Sequence, residues 1–168
     1  AFELQDRVRV ICREDRSVDA FMGDLAAHTV DVVLSDAPAG PGTPVRTYSH
    51  PLGECGTSFF AAPRLARACR RGFPGSLDGA PCLLPGDHAT VRRRMDQWLD
   101  AAKLRPTLIG EFDDSALMYA FGEEGRGFFP APTVFEAEFQ RRYGVRVIGR
   151  SKAVRQQFYA ISVDRRLH

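Results

Sequence analysis

The stretch PCLLPGDHATVRRRMDQWLDAAKLRPTLIGEF, residues 81–112, decides the fold class of this sequence. Its apolar run at 82–84 is typical of a short buried strand, and Pro-Gly-Asp at 85–87 is typical of a turn. The apolar residues of the next segment recur at helical spacing and indicate a helix with one core-facing stripe. These residues are Val91, Met95, Trp98, Leu99 and Ala102. Residues 107–112 then form a second strand, so this stretch predicts an α/β fold.

Residues 1–36 predict a second unit of the same kind. Apolar residues alternate with arginines over 8–12, as in a half-covered strand, and Ser17 fits the N-cap of a helix with an apolar stripe over 18–25. The apolar run at 32–34 is typical of a strand buried on both faces. We therefore expect a parallel pair of strands joined by a right-handed crossover.

Two such units in series, linked by two extended segments, predict a hinged pair of lobes. The linking segments are expected at about 60–66 and 149–154. Lobe I comprises residues 1–62 with 151–168, and lobe II comprises residues 63–150. Ligands in such folds bind between the lobes, at the carboxyl ends of the strands.

Composition narrows the class of protein further. The 168 residues carry a net charge of +2, are 44% hydrophobic and include 12 Phe, which excludes a disordered chain. Residues 64–71, RLARACRR, are interpreted as a solvated face or linker, and the near-neutral balance predicts no nucleic-acid binding by this chain itself. The sequence shows neither a signal peptide nor a membrane span, which predicts a cytoplasmic location. The spacing of the cysteines and histidines predicts no zinc site, and we expect neither a metal nor a cofactor.

Several strings carry possible chemistry. Residues 31–38, DVVLSDAP, resemble the fourth motif of adenosylmethionine-dependent methyltransferases, although no Gly-rich turn for that cofactor precedes them. An enzyme of that class therefore stays open as an alternative. Either Asp113 or Asp114 is expected to cap a helix, while Glu123 and Glu124 are expected to face water. The lone His88 completes no catalytic set, so the residues themselves favour a chain that is not an enzyme.

Three helix starts are better candidates for binding than for catalysis. Ser17, Thr90 and the Asp113–Asp114 pair each follow a strand and open a helix, where free backbone N–H groups favour an anion or a polar ligand. Ser17 and Thr90 open the equivalent helix of each predicted lobe. Asp36 follows the 32–34 strand and is expected to lie at the same cleft.

The order of elements and several strings resemble the effector-binding domain of LysR-type transcriptional regulators, and in particular the branch that activates sodium/proton antiporter genes. The matching strings are Leu34-Ser35-Asp36 with Pro38, Gly53-Glu54-Cys55 with Ser58-Phe59, Leu83-Leu84-Pro85-Gly86, Gly110-Glu111-Phe112-Asp113-Asp114 with Ala116-Leu117-Met118 and Ala120-Phe121-Gly122, Phe129-Ala131-Pro132, and Ile148-Gly149-Arg150. The resemblance extends over nearly the whole chain.

The resemblance implies a two-lobed fold like that of type 2 periplasmic binding proteins, with a small effector in the cleft. It places Ser17, Asp36, Thr90, Asp113 and Phe129 at that cleft.

The resemblance also implies a homodimer or tetramer paired head to tail, with the helices at 18–28 and 91–102 near the interface. It implies that DNA is contacted only through an N-terminal winged helix-turn-helix domain outside these 168 residues. The first strand and helix of the effector domain, and its last helix, are likewise expected outside this sequence.

Overall fold

The computed structural model describes residues 9–14, 18–41 and 45–164. Within these residues the α-helices are α1 (Val18–Ala26), α2 (Pro63–Arg70), α3 (Thr90–Ala101), α4 (Ser115–Glu123) and α5 (Glu136–Arg142). The strands are β1 (Val33–Ser35), β2 (Tyr48–Ala61), β3 (Pro81–Pro85), β4 (Thr107–Phe112), β5 (Phe129–Pro132) and β6 (Arg146–Ser162). Short 3-10 helices at Gly75–Leu77 and Thr133–Phe135 complete the regular structure.

Two long antiparallel strands, β2 and β6, run through the whole molecule. They form the centre of a four-stranded sheet in the order β1-β6-β2-β5. Their pairing jumps from Cys55–Gln156 to Thr57–Ser151, so one residue of β2 faces four residues of β6 at this crossing. The Ser151 hydroxyl accepts the N–H group of Val154 at 3.3 Å, which holds the bulged backbone in place.

Helices pack on both sides of the strands formed by the end of β2 and by β3, β4 and β5. β3 and β4 are parallel, and an isolated bridge from Cys82 to Phe128 connects β3 to the chain entering β5. Phe59 and Phe60 are both fully buried but belong to different cores. Phe59 packs with residues of α2 and α3, whereas Phe60 packs with residues of α4 and α5. Successive strand residues point to opposite faces, which places the two helix layers on opposite sides.

Lobe I has a smaller core. Met22 and Leu25 of α1 pack on Val33 of β1 and Ile161 of β6, and all four side chains are buried.

The structure confirms the strand, helix and strand predicted for residues 81–112 and places them in β3, α3 and β4. The interpretation of residues 64–71 as a linker is wrong, because α2 begins at Pro63 and buries Ala66 and Cys69. The same helix replaces the predicted extended segment beyond residue 62. The arginines of α2 face solvent as expected for a solvated face. The lobe boundaries themselves stay a prediction.

The βαβ unit predicted for residues 1–36 needs correction. Residues 9–14 form no strand, and Val10 and Ile11 are 64% and 65% exposed. β1 pairs antiparallel with β6, and within the described residues its other edge pairs with nothing. Leu34 is consequently 74% exposed, whereas a strand buried on both faces was predicted. A strand requires a neighbour for its backbone, and the alternation of apolar residues does not reveal which neighbour it has.

Candidate functional site

A cavity of about 280 Å³ lies where the two lobes meet. One side of the wall is formed by Asp36, which follows β1, and by Gln156 and Phe158 of β6. The other side is formed by the ends of β3 and β4 with the segments that follow them, by α3 and α4, and by β5. These residues are Pro85, His88, Ala89, Val91, Phe112, Asp113, Ser115, Met118, Tyr119, Pro130, Ala131 and Pro132. The cavity therefore lies at the carboxyl ends of the parallel strands, as predicted for a ligand site in this class of fold.

Gly86 allows the loops after β3 and β4 to approach each other. Its N–H group donates to the carbonyl of Phe112 at 2.9 Å. A Cβ atom at this position would lie 2.5 Å from Asp113 Oδ1 and 2.9 Å from His88 Cε1. The missing side chain thus leaves room for His88 Nδ1 to lie 3.5 Å from Asp113 Oδ1. The two side chains form a half-exposed polar pair on the cavity wall.

Asp36 contacts the helix that opens at Thr90. The residue before this helix is Ala89, whose side chain has no acceptor for the free N–H groups of the first turn. The Thr90 N–H group instead donates to Asp36 Oδ2 at 3.2 Å, across 54 residues of sequence. The helix start that the sequence assigns to an anionic or polar ligand is therefore occupied by a carboxylate of the chain itself. This contact links the segment after β1 to α3 beside the cavity.

The adjacent residues Asp113 and Asp114 have different roles. The Asp114 carboxylate accepts the N–H group of Ala116 at 2.7 Å and caps α4, which confirms the predicted cap. Asp113 is left to line the cavity. Adjacent residues point in different directions, and this difference separates the capping carboxylate from the one that faces the site.

Phe129 does not line the cavity, although the sequence places it there. Its side chain is fully buried and stacks on Phe60 with ring centroids 5.6 Å apart. It packs so closely on Gly122 that a Cβ atom there would clash with its ring. The wall at this point is formed by Pro130 and Ala131, its successors in β5. Ser17, the remaining predicted site residue, lies outside the described residues.

Sequence reasoning missed Tyr119, Gln156 and Phe158. Burial raises the pKa of the Tyr119 phenol, so this group stays a neutral hydroxyl. The Gln156 amide donates to Thr57 Oγ1 at 2.9 Å, which ties the cavity wall to the strand crossing. Nothing in the local sequence marks Gln156 and Phe158, because their position depends on the bulge in β6, where the register against β2 shifts.

The cavity suits a small ligand that offers a positive charge or hydrogen-bond donors. Its walls combine apolar side chains such as Val91 and Phe112 with two carboxylates, Asp36 and Asp113. A small number of placed polar groups on an apolar lining is typical of ligand sites. Among residues 9–14, 18–41 and 45–164 no group of three or more His, Cys, Asp or Glu side chains is arranged to hold a metal ion. No helix in the same residues is long and apolar enough to cross a membrane.

Comparison with known proteins identifies the class of protein to which this fold and cavity belong. The model of the LysR substrate binding domain matches residues 3–168, and the chain belongs to that family of regulatory domains. Among individual proteins, it is 31% identical over 147 residues to the transcriptional activator protein NhaR of Escherichia coli K12 and to that of Shigella flexneri. This match covers 88% of the chain and 48% of each relative, so the chain spans about half their length.

Solved structures agree on the fold. Vibrio fischeri DarR in complex with DNA aligns with a TM-score of 0.68 at 18% identity, over 100% of this chain and 56% of that one. The apo regulatory domain of HypT from Salmonella typhimurium aligns with a TM-score of 0.65 at 15% identity, over 90% and 72% of the two chains. The effector binding domain of QuiR in complex with shikimate gives 0.57 at 13% identity, over 90% and 70%.

Effector-binding domains of this family have the two-lobed fold of periplasmic binding proteins, and the predicted fold class is confirmed. The methyltransferase alternative finds no support, because the family model covers residues 31–38 together with the rest of the chain.

Proposed function

We propose that this chain is the effector-sensing and dimerising domain of a LysR-type activator that controls ion and pH homeostasis, in particular sodium/proton antiporter genes. The observation that carries this proposal is the cavity of about 280 Å³ whose walls come from both lobes. The identity of 31% to an activator supports the choice of branch.

The effector is a small molecule or ion that is cationic or rich in hydrogen-bond donors. Asp36 and Asp113 place two negative charges on the cavity wall, and an anionic ligand would lie in their field. Asp36 already accepts the N–H group at the start of α3, which is where an anion would otherwise bind.

Effector binding shifts the population of lobe arrangements. A ligand that contacts Asp36 or Phe158 from one lobe and Asp113 from the other favours the closed arrangement over the open one. The two lobes are joined through β2 and β6, and the bulge at residues 152–155 is where the pairing of these two strands shifts register. A change in the orientation of one lobe relative to the other is therefore transmitted through the backbones of these two strands.

The partners follow from the same proposal. The domain pairs with a second copy head to tail, as a homodimer or tetramer, with the helices at 18–28 and 91–102 near the interface. DNA-binding specificity resides in a domain outside these 168 residues, and the regulator acts in the cytoplasm. The domain uses no cofactor and catalyses no reaction.

A thermal-shift titration of the 168-residue chain tests the effector site. The probes are Na⁺, Li⁺, tetramethylammonium and acetate at constant ionic strength, each over a range of pH. A ligand at a hundredfold excess over its Kd stabilises the fold by about 2.7 kcal/mol. We expect a cation to raise the Tm, and Asp113→Asn to remove that shift. Asp31→Asn serves as the control, because Asp31 is exposed and does not line the cavity.

Two results would overturn the proposal. One is a stabilisation by acetate alone that survives in the Asp113→Asn variant, which would place an anion elsewhere. The other is sequence-specific binding of operator DNA by these 168 residues alone, because the proposal assigns that specificity to another domain.

A further inference from the structure

A second cavity, of about 180 Å³, lies on lobe II and shares no lining residue with the effector cavity. It is bounded by Arg70 at the end of α2, Gln140 of α5, and residues 146–150 of β6. α2 and α5 pack on opposite sides of the sheet, so this cavity lies at the edge of the sheet between them. β6 pairs only with β2 over residues 146–151, and its other edge is open here in the described structure.

Positive charge is concentrated around this cavity. Residues 63–71 contain four arginines and no acid, and residues 136–150 contain four arginines and two glutamates. These two segments therefore carry a net charge of +6, whereas the whole chain carries only +2. The near-neutral total conceals a strong asymmetry, and the expectation from composition of no basic field does not hold for this face.

Most of these arginines have no acidic partner in the described part of the chain. Arg150 donates to both carboxylate oxygens of Glu136 at 2.7 Å, which neutralises this one guanidinium. Seven others are exposed, and no carboxylate among the described residues lies within 4 Å of them. We call these seven the basic face: Arg64, Arg67, Arg70, Arg71, Arg141, Arg142 and Arg146.

Local structure explains only part of the basic face. Arg67 and Arg70 lie in the last turn of α2, and a cation there is stabilised by the helix dipole. Arg64 lies in the first turn of the same helix, where the dipole disfavours a cation. Arg146 lies on a strand and lines the cavity together with Arg70. Three arginines line this cavity, Arg70, Arg146 and the Glu136-paired Arg150, and two of them have no acidic partner among the described residues. Together with the arginines outside the cavity they are suited to an extended polyanion.

We infer that the basic face is a sequence-independent docking site for the phosphate backbone of duplex DNA. Guanidinium groups bind phosphate oxygens in a bidentate manner, and one phosphate fits the cavity of Arg70 and Arg146. The arginines beyond the cavity contact neighbouring phosphates, which a small phosphate ligand does not offer. The inference rests on the proposed function, since a regulator held on DNA by another domain brings duplex close to this surface and makes weak contacts effective.

The test is binding of a fluorescently labelled duplex of mixed sequence to the 168-residue chain, measured by anisotropy over a series of salt concentrations. Each phosphate contact contributes about 0.9 to the slope of log K against log salt. Because these two arginines hold one phosphate, we expect Arg70→Gln/Arg146→Gln to reduce that slope by about 1. Arg46→Gln/Arg93→Gln is the matched control, since it removes the same charge from exposed residues that do not line this cavity. The control is expected to leave the slope unchanged.

Three outcomes would overturn the inference. The first is an equal slope in both double variants, which would mean that the duplex binds elsewhere. The second is displacement of the duplex by inorganic phosphate at an ionic strength where chloride has no effect, which would identify a site for a small anion. The third is binding of polyglutamate with the same affinity and the same dependence on Arg70 and Arg146, which would identify an acidic protein as the partner. The proposed function is tested separately in the same double variant. If effector cations still raise the Tm of Arg70→Gln/Arg146→Gln, a negative result with the duplex overturns this inference and leaves the proposed function intact.

Discussion

Replacement of Asp36 by alanine is expected to destabilise the junction of the lobes at α3. This helix lacks a side-chain acceptor in its own N-cap residue, and Asp36 supplies one from the other lobe. Loss of a helix cap costs about 0.5–2 kcal/mol. The bond from Thr90 is 3.2 Å long, at the upper limit for N–H···O hydrogen bonds, and water competes for the exposed carboxylate. The expected loss is therefore in the lower half of that range, about 0.5–1 kcal/mol.

Thermal unfolding and hydrogen exchange measure this loss independently. For a chain of this size, about 0.5–1 kcal/mol lowers the Tm by about 1–4 °C. The same free energy accelerates exchange of the Thr90 amide by roughly two- to fivefold. Asp36→Asn retains an oxygen acceptor but loses the charge, and we expect about half the effect. Asp31→Ala is the control, because the structure gives this nearby exposed acid no contact with α3. If Asp36→Ala matches Asp31→Ala in both Tm and Thr90 exchange, the carboxylate does not cap the helix and the reasoning fails.

Three further predictions concern stability and reactivity. Gly122→Ala is expected to lower the free energy of unfolding by roughly 1–3 kcal/mol, because its methyl group would clash with a buried aromatic ring. Gly23→Ala in α1 is the control: its methyl group would meet no atom within 4 Å, and we expect the free energy of unfolding to stay the same or rise. The hydrogen bond from Arg150 holds the pKa of Glu136 below its ordinary value, so its contribution is present above pH 4.5 and is lost as pH falls through the lowered pKa. Glu136→Gln is therefore expected to be less stable than the parent at pH 7, by about 1 kcal/mol, and equally stable in strong acid; a difference that persists in strong acid would contradict this assignment. Burial raises the pKa of the Cys82 thiol to about 12, and we expect this cysteine to react with a thiol reagent at pH 8 only after unfolding, which peptide mapping of the labelled chain would detect.

The sequence predicted the parts of this protein that depend on neighbours in the chain. The stripe from Val91 to Leu99 and a cap supplied by the Asp113–Asp114 pair both follow from local spacing. The strand predicted near Val10 failed, because its existence depends on a neighbouring strand and not on its own alternation.

The cavity illustrates the same limit at longer range. Asp36 lines the cavity, and its bond to the start of α3 joins residues that are 54 positions apart. Gln156 and Phe158 face the cavity because of a register jump in β6, which periodicity does not encode. The net charge showed a related limit, since a total of +2 gave no sign that arginines of α2 and β6 would line the same cavity.

The passage of β6 through both lobes has a consequence for the order of folding during synthesis. The strands of lobe II are complete once the chain reaches Ser151, because β6 pairs with β2 on this side through that residue. Lobe I forms later, since within the described structure β1 pairs with residues 159–161 and with no other strand, more than 120 positions downstream. Contacts so distant in sequence form slowly, and a domain is exposed to aggregation while it lacks them. The lobe that begins first in the sequence is thus expected to fold last on the ribosome, using the already folded lobe II as its template.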